Sequence, residues 1–204
     1  MKFISTFVFL IIFSVTTFAQ DSPKAELFGG YSYLRTDSED VDLTQFGAPG
    51  VVARRGNANL NGWNLAITGN PVSWAGFVAD FGGTYGRVNY SATGLGTVRI
   101  GTRYHSFLFG PQFYFRGGKV TGFVRGMIGA VRADYSANLL GQSFDEDETA
   151  FAAAFGGGVD VKFAEKVSLR LFQADLILTR FDGAGIANDT QKAVRVSTGF
   201  VFRN

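Results

Sequence analysis

The one histidine of the chain, His105, is followed directly by Ser106. A base beside a hydroxyl is the pair from which an activated nucleophile is built. The spacing argues against that use here. Neighbouring residues on an extended strand point to opposite faces, so the imidazole and the hydroxyl of an adjacent pair cannot meet. The chain has no cysteine, which removes disulfides, thiolate nucleophiles and thiolate zinc sites, and a single histidine removes a multi-histidine metal cage. The Gly-Gly-Gly run at 156–158 lacks the Lys-Ser/Thr of a phosphate-binding loop and lies within a predicted strand. No catalytic residue, no metal ligand and no cofactor is expected. The formal charge of +2, or +1 without Lys2, is too balanced to suggest a nucleic-acid partner.

The remaining candidates are charges in two settings. Asp37, Glu39, Asp40, Asp42, Arg54 and Arg55 fall in one predicted connection, and Asp145, Glu146, Asp147 and Glu148 in another. Clustered carboxylates bind divalent cations and arginines contact phosphates, but in a loop both read first as solvated charge. The second set lies inside apolar segments, on a face otherwise made of Gly, Ala and Ser: Glu26, Asp80, Arg125, Asp160, Lys162, Arg170 and Arg195. Charges spaced singly along such a face suit a narrow interior where they pair across a lumen.

The elements that position these residues are strands. Residues 1–19 read as a secretory leader, with Lys2, an apolar run from Phe7 to Val15 and a small-x-small site ending at Ala19, so cleavage is expected before Gln20. From 20 to 204 one domain is expected. Helical periodicity does not persist there, whereas period-two alternation recurs. In HSFLFGPQFYFR, Phe107, Phe109, Phe113 and Phe115 share one face with Pro111, a residue that removes a ladder hydrogen bond and predicts a bulge or irregularity.

Eight such segments are predicted: 24–35, 59–70, 74–86, 102–116, 120–134, 149–163, 167–181 and 192–203. Their connections alternate strictly between long and short, the layout of an up-and-down barrel with short turns at one rim. The fold class is all-β, an eight-stranded antiparallel transmembrane barrel. The face carrying Arg125 must point inward, because Arg or Lys facing the bilayer midplane costs about 2–4 kcal/mol. Arg170 and Asp175 have opposite parity, so a bulge around 172–174 is expected to reset the alternation. Tyr31, Tyr33, Trp63, Tyr85, Tyr104, Phe163 and Phe181 fall near segment ends, and with Phe202 they are expected on the lipid-facing side as aromatic girdles.

The segments KAELFGGYSYLR, GWNLAITGNPVSWAGFVADFGGTYG, VSLRLFQADLILTRF and VRVSTGFVFRN resemble the OmpA-like outer-membrane β-barrel family across the mature chain. The resemblance covers the barrel alone, with no peptidoglycan-binding domain expected after it. It implies insertion by the outer-membrane assembly machinery, which reads an amphipathic last strand ending in an aromatic residue. Val194, Val196, Thr198, Phe200 and Phe202 supply that face, although the chain continues to Arg203 and Asn204.

The expected protein is a non-enzymatic, monomeric barrel of the bacterial outer membrane with a structural or surface-contact role. Its partners would be outer-membrane lipids and lipopolysaccharide. A lipid A-modifying enzyme and a narrow ion channel are the alternatives. A general porin is not expected, since eight strands leave an interior only wide enough for its own side chains.

Overall fold

The computed structural model describes residues 23–36, 40–42, 52–55, 58–92, 96–139, 142–180 and 190–204. The predicted leader, its cleavage site, Asp37, Glu39 and Phe181 lie outside the described residues, as do the side chains of Asp40, Asp42, Arg54, Arg55, Asp145 and Glu146. The described elements are β1 (Ala25–Thr36), β2 (Asp40–Asp42), β3 (Val52–Arg55), β4 (Ala58–Val72), β5 (Ala75–Ala92), β6 (Gly96–Gly117), β7 (Val120–Leu139), β8 (Gln142–Lys162), β9 (Val167–Arg180) and β10 (Thr190–Arg203). No helix among the described residues is long and apolar enough to cross a membrane.

Eight of these strands close into a barrel. Each long strand pairs antiparallel with its neighbours, β5 joins β6, and β1 joins β10 from Glu26 opposite Arg203 to Thr36 opposite Ala193. The turns at 73–74, 118–119 and 163–166 gather at one rim and the other connections at the opposite one, those of β5–β6 and β7–β8 spanning only 93–95 and 140–141. Gly118 takes φ 52 in the β6–β7 turn, where a residue bearing Cβ would be strained.

Period-two alternation sets the two faces. In β1, Glu26, Phe28, Ser32, Leu34 and Thr36 turn inward, while Leu27 and Tyr31 turn outward. Leu65, Ile67, Phe107, Phe109, Ile128 and Phe155 continue the exposed belt on other strands. The result inverts a soluble protein, with apolar side chains outside and charge within, and soluble monomers rarely expose so continuous an apolar surface.

Two stretches predicted as long loops are strand. The β5–β6 ladder runs on to Ala92 opposite Gly96, and the β7–β8 ladder to Leu139 opposite Gln142. Beyond the apolar belt neither face needs to be greasy, so the alternation that marks a strand fades while the backbone pairing continues. The first long connection likewise holds β2 and β3, with β3 pairing against the upper part of β5.

Pro111 leaves a gap in place of a bulge. The β6–β7 ladder is interrupted between Phe109 and Gln112, yet Phe109 faces Ile128 and Gln112 faces Arg125 in unchanged register. The bulge lies on β9, where Leu171 and Phe172 both point outward. The register shifts there against both neighbours, with Phe172 opposite Val159 but Arg170 opposite Asp160, and Gln173 opposite Ser197 but Arg170 opposite Gly199. The hydroxyl of Thr198 donates to the carbonyl of Arg170 at 2.9 Å beside the extra residue. Arg170 and Asp175 therefore share the inward face despite their opposite parity.

Candidate functional site

Every barrel strand sends a polar side chain into the lumen. At the short-turn end, Glu26 on β1 meets Arg116 of β6 at 3.1 Å and Arg203 of β10 at 3.6 Å. Arg203 Nη2 also donates to Asp160 of β8 at 3.1 Å. Asp160 receives two hydrogen bonds from Arg170, Nε at 2.8 Å and Nη2 at 3.2 Å. The Arg170 guanidinium lies between two rings, 4.3 Å from the Phe28 centroid and 4.2 Å from that of Phe123.

The chain of contacts continues upward. Arg170 Nη1 donates to Gln173 Oε1 at 2.6 Å, and Gln173 Nε2 donates to Asp175 at 2.9 Å and to Asn64 at 3.2 Å. Asn64 Nδ2 donates in turn to Asp80 at 3.0 Å. Arg125 lies 3.1 Å from Asp80 and donates twice to Asp175, while Arg195 lies 2.8 Å from Asp80 and 3.0 Å from Asp175. All four of these charged side chains are buried. Two arginines thus face two aspartates, so the layer is charge-balanced.

The chemistry of the layer follows from these residue types. A guanidinium is a planar fork that satisfies carboxylates in pairs, a match that lysine lacks. Breaking one member of such a buried set is costly because its partners stay desolvated and unpaired. The network also fills the lumen cross-section of a barrel whose interior has little space to spare. Among the described residues no group of three or more His, Asp or Glu side chains is placed to hold a metal ion.

The structure places the predicted interior residues Glu26, Asp80, Arg125, Asp160, Arg170 and Arg195 in this one network. Lys162 is a correction: at the last position of β8 it projects from the rim and is exposed. Asn64, Gln173, Arg116 and Arg203 were not singled out by sequence reasoning. The inward parity of Asn64, Arg116 and Arg203 was readable, Arg203 sharing that of Arg195, whereas Gln173 depends on the bulge.

Around the outside, Tyr31, Trp63, Tyr85, Phe163 and Phe202 are exposed, with Trp63 at 43 %. Tyr31 donates to Asn61, and Tyr33 to Asn59 at 2.7 Å, on the outer side of β4. Tyr104 is a second correction. It is only 7 % exposed and lines the lumen, because its even position shares the inward parity of Thr102 and Leu108. Its place near a segment end fitted a girdle; its parity did not.

His105 sits outside at the upper edge of the belt. Tyr85 meets its Nε2 at 3.3 Å, and Asp134 lies 3.6 Å from its Nδ1. Asp134 also pairs with Arg132, which reaches Asp147 at 3.0 Å. Ser106 points the other way, into the lumen, where Arg195 Nη1 approaches it at 3.4 Å. The hydroxyl nearest the histidine is therefore a tyrosine's, and the adjacent serine is on the far side of the wall.

No protein-family model matches the chain, and no curated protein matches it. Among solved structures it is similar to Ail, the attachment invasion locus protein of Yersinia pestis, with 17% identity, a TM-score of 0.55 and coverage of 89% of this chain and 99% of that one. It is also similar to Neisserial surface protein A, with 12% identity, a TM-score of 0.58 and coverage of 91% and 100%. The outer membrane protein AlkL matches at 15% identity and a TM-score of 0.51, covering 92% of each chain. At these identities the likeness lies in the fold, a closed antiparallel eight-stranded barrel of the outer-membrane type.

Proposed function

We propose that this chain is a non-enzymatic barrel of the bacterial outer membrane, contributing to the envelope and making surface contacts through its long extracellular loops. The observation that carries this reading is the arginine and aspartate layer at Asp80, Arg125, Asp175 and Arg195. It occupies the lumen and is tied to neighbours in both directions, so function falls to the outer surface and the loops. The exposed apolar belt supports a lipid surround, and the short-turn rim is assigned to the periplasm by the usual asymmetry of such barrels.

The expected partners outside are outer-membrane lipids and lipopolysaccharide. Support comes from the change from the apolar side chains of the belt to His105, Arg132, Asp134 and Asp147 at its upper edge, the order that a hydrocarbon layer bordered by polar head groups calls for. The test is photo-crosslinking on intact cells from a probe at Asp147. Capture of lipopolysaccharide or of an extracellular protein supports the reading, and a probe that labels neither overturns it.

A lipid A-modifying enzyme is the second reading, favoured by the row of Asp134, His105 and Tyr85. Under the first reading, His105→Ala leaves the acylation pattern of lipid A unchanged in cells expressing the barrel. An altered pattern would establish the enzyme instead.

A further inference from the structure

The rim that gathers the turns at 73–74, 118–119 and 163–166 holds its cations in two different ways. Arg116 and Arg203 turn toward the lumen and are committed to Glu26 and Asp160. Lys24, Lys119, Lys162 and Lys166 are exposed, and no ion pair among the described residues engages them. Glu165 is the one acidic side chain exposed among the described residues of this rim. The ammonium groups therefore leave a surplus of positive charge at the barrel's edge.

Backbone pairing sets these charges side by side. Lys162 N donates to Lys119 O at 2.7 Å, Arg203 N to Lys166 O at 2.8 Å and Lys24 N to Asn204 O at 3.1 Å. Consecutive strand ends, from β7 through β8, β9 and β10 to β1, thus each carry a basic residue at or beside the terminal position. The β4–β5 turn, with Ser73 and Trp74, carries none. The apolar belt reaches the same edge. Phe163, between Lys162 and Lys166, is 83 % exposed, and Val120 beside Lys119 and Phe202 beside Arg203 are about half exposed. Lysines directly beyond an apolar edge lie where the headgroups of a bilayer begin, and clusters of them there attract anionic lipid.

We propose that the arc of Lys119, Lys162 and Lys166 binds the headgroups of anionic phospholipids, phosphodiesters without a compensating amine, in the leaflet that meets these turns. The inference rests on the bilayer placement proposed above and adds a lipid class to it. A zwitterionic headgroup carries its own ammonium and gains little from further ones. Phe163 enters the acyl region while the lysine stems run along the apolar edge and keep their charges at headgroup level. A soluble anionic polymer would leave Phe163 in water. Lysine suits an exchanging, fluid ligand, since it acts as a point charge and demands no fixed bidentate geometry.

The test reads lipid preference by tryptophan quenching in the full barrel, reconstituted in vesicles of phosphatidylcholine and phosphatidylglycerol with brominated chains on one lipid or the other. The reporter variant combines Trp63→Phe, Trp74→Phe and Phe163→Trp, leaving one indole amid the lysines. Both leaflets share one composition, so the direction of insertion does not affect the result. Phosphatidylglycerol is expected to associate there about fivefold more strongly, the effect of about one lysine at a charged surface. Lys119→Gln, Lys162→Gln and Lys166→Gln together should bring the preference to parity, as should roughly 1 M salt, where the Debye length is about 3 Å. Equal quenching by the two lipids at position 163 would overturn the proposal, as would a preference that survives the salt or the glutamine substitutions. The salt arm decides even if the glutamine variant does not assemble. A separate variant, Trp74→Phe, keeps Trp63 as the sole indole. If neither brominated lipid quenches it, the bilayer placement fails and the proposal with it, whereas quenching at Trp63 with parity at position 163 overturns the proposal alone.

Discussion

Arg125 on β7 reaches Asp175 on β9 across the intervening strand, with Nε 2.9 Å from Oδ1 and Nη2 2.7 Å from Oδ2. What lies between them is Gly156. It is the register partner of Arg125 on one side and of Asp175 on the other. A Cβ at Gly156 would stand 2.1 Å from Asp175 Oδ1, in the space the carboxylate occupies. The bidentate pair thus exists because the strand beneath it has no side chain at that point.

Gly156→Ala tests this arrangement. The added methyl also meets the backbone carbonyl of Ala174 at 2.4 Å, so a rotamer change in Asp175 alone cannot relieve it. A loss of about 1–3 kcal/mol is expected, the range for overpacking a filled interior. The midpoint of urea unfolding from liposomes measures it, and an unchanged midpoint would refute the claim.

Asp175 itself carries more of the layer than any other carboxylate, since Arg125, Arg195 and Gln173 all donate to it. Asp175→Ala leaves two buried guanidinium groups with Asp80 alone, a cost of about 3–5 kcal/mol. Replacing both partners, Arg125→Met with Asp175→Leu, leaves Arg195 paired with Asp80 and should recover most of that loss. A double variant less stable than Asp175→Ala would contradict the pairing. With the single variants Arg125→Met and Asp175→Leu added, the comparison is a double-mutant cycle on the same unfolding assay.

The bulge yields a contrast between two deletions. Leu171 is the extra residue, so deleting it leaves Phe172 opposite Val159 and Arg170 opposite Asp160 in regular succession, with Arg170 and Gln173 still facing inward. Deleting Ala174 either keeps the bulge and turns Asp175 toward lipid, or removes the bulge and turns Gln173 toward lipid with Phe172 inside, so the inward set is broken either way. The first variant should assemble as a heat-modifiable barrel and the second should not. Equal outcomes for the two would remove the assigned bulge.

The filled lumen also predicts electrical silence. With Arg125, Asp80, Asp175 and Arg195 buried and mutually paired, the purified barrel in planar bilayers should show no discrete conductance steps across salts and voltages. Regular steps would favour the narrow-channel alternative.

Much of this architecture is legible in the linear order of residues, because a strand in a lipid-facing barrel has one greasy face and a period of two. Phe107, Phe109, Phe113 and Phe115 show the period directly, and Arg125 declares which face is interior. That logic fails at two kinds of position. Beyond the belt, the upper parts of β5–β8 lose the constraint on either face and read as loops. At segment ends, an aromatic such as Tyr104 is assigned by location, although its parity places it in the lumen.

The sequence by itself determined the strand count, the inward identity of Glu26, Asp80, Arg125, Asp160, Arg170 and Arg195, and the conflict of parity between Arg170 and Asp175. These are properties of alternation along one strand. Only the tertiary structure decided who pairs with whom: that Gly156 opens the path from Arg125 to Asp175, and that Arg195 divides its donors between Asp175 and Ser106. Those facts depend on register and closure across eight strands, and a period of two carries no information about the offset between one strand and the next.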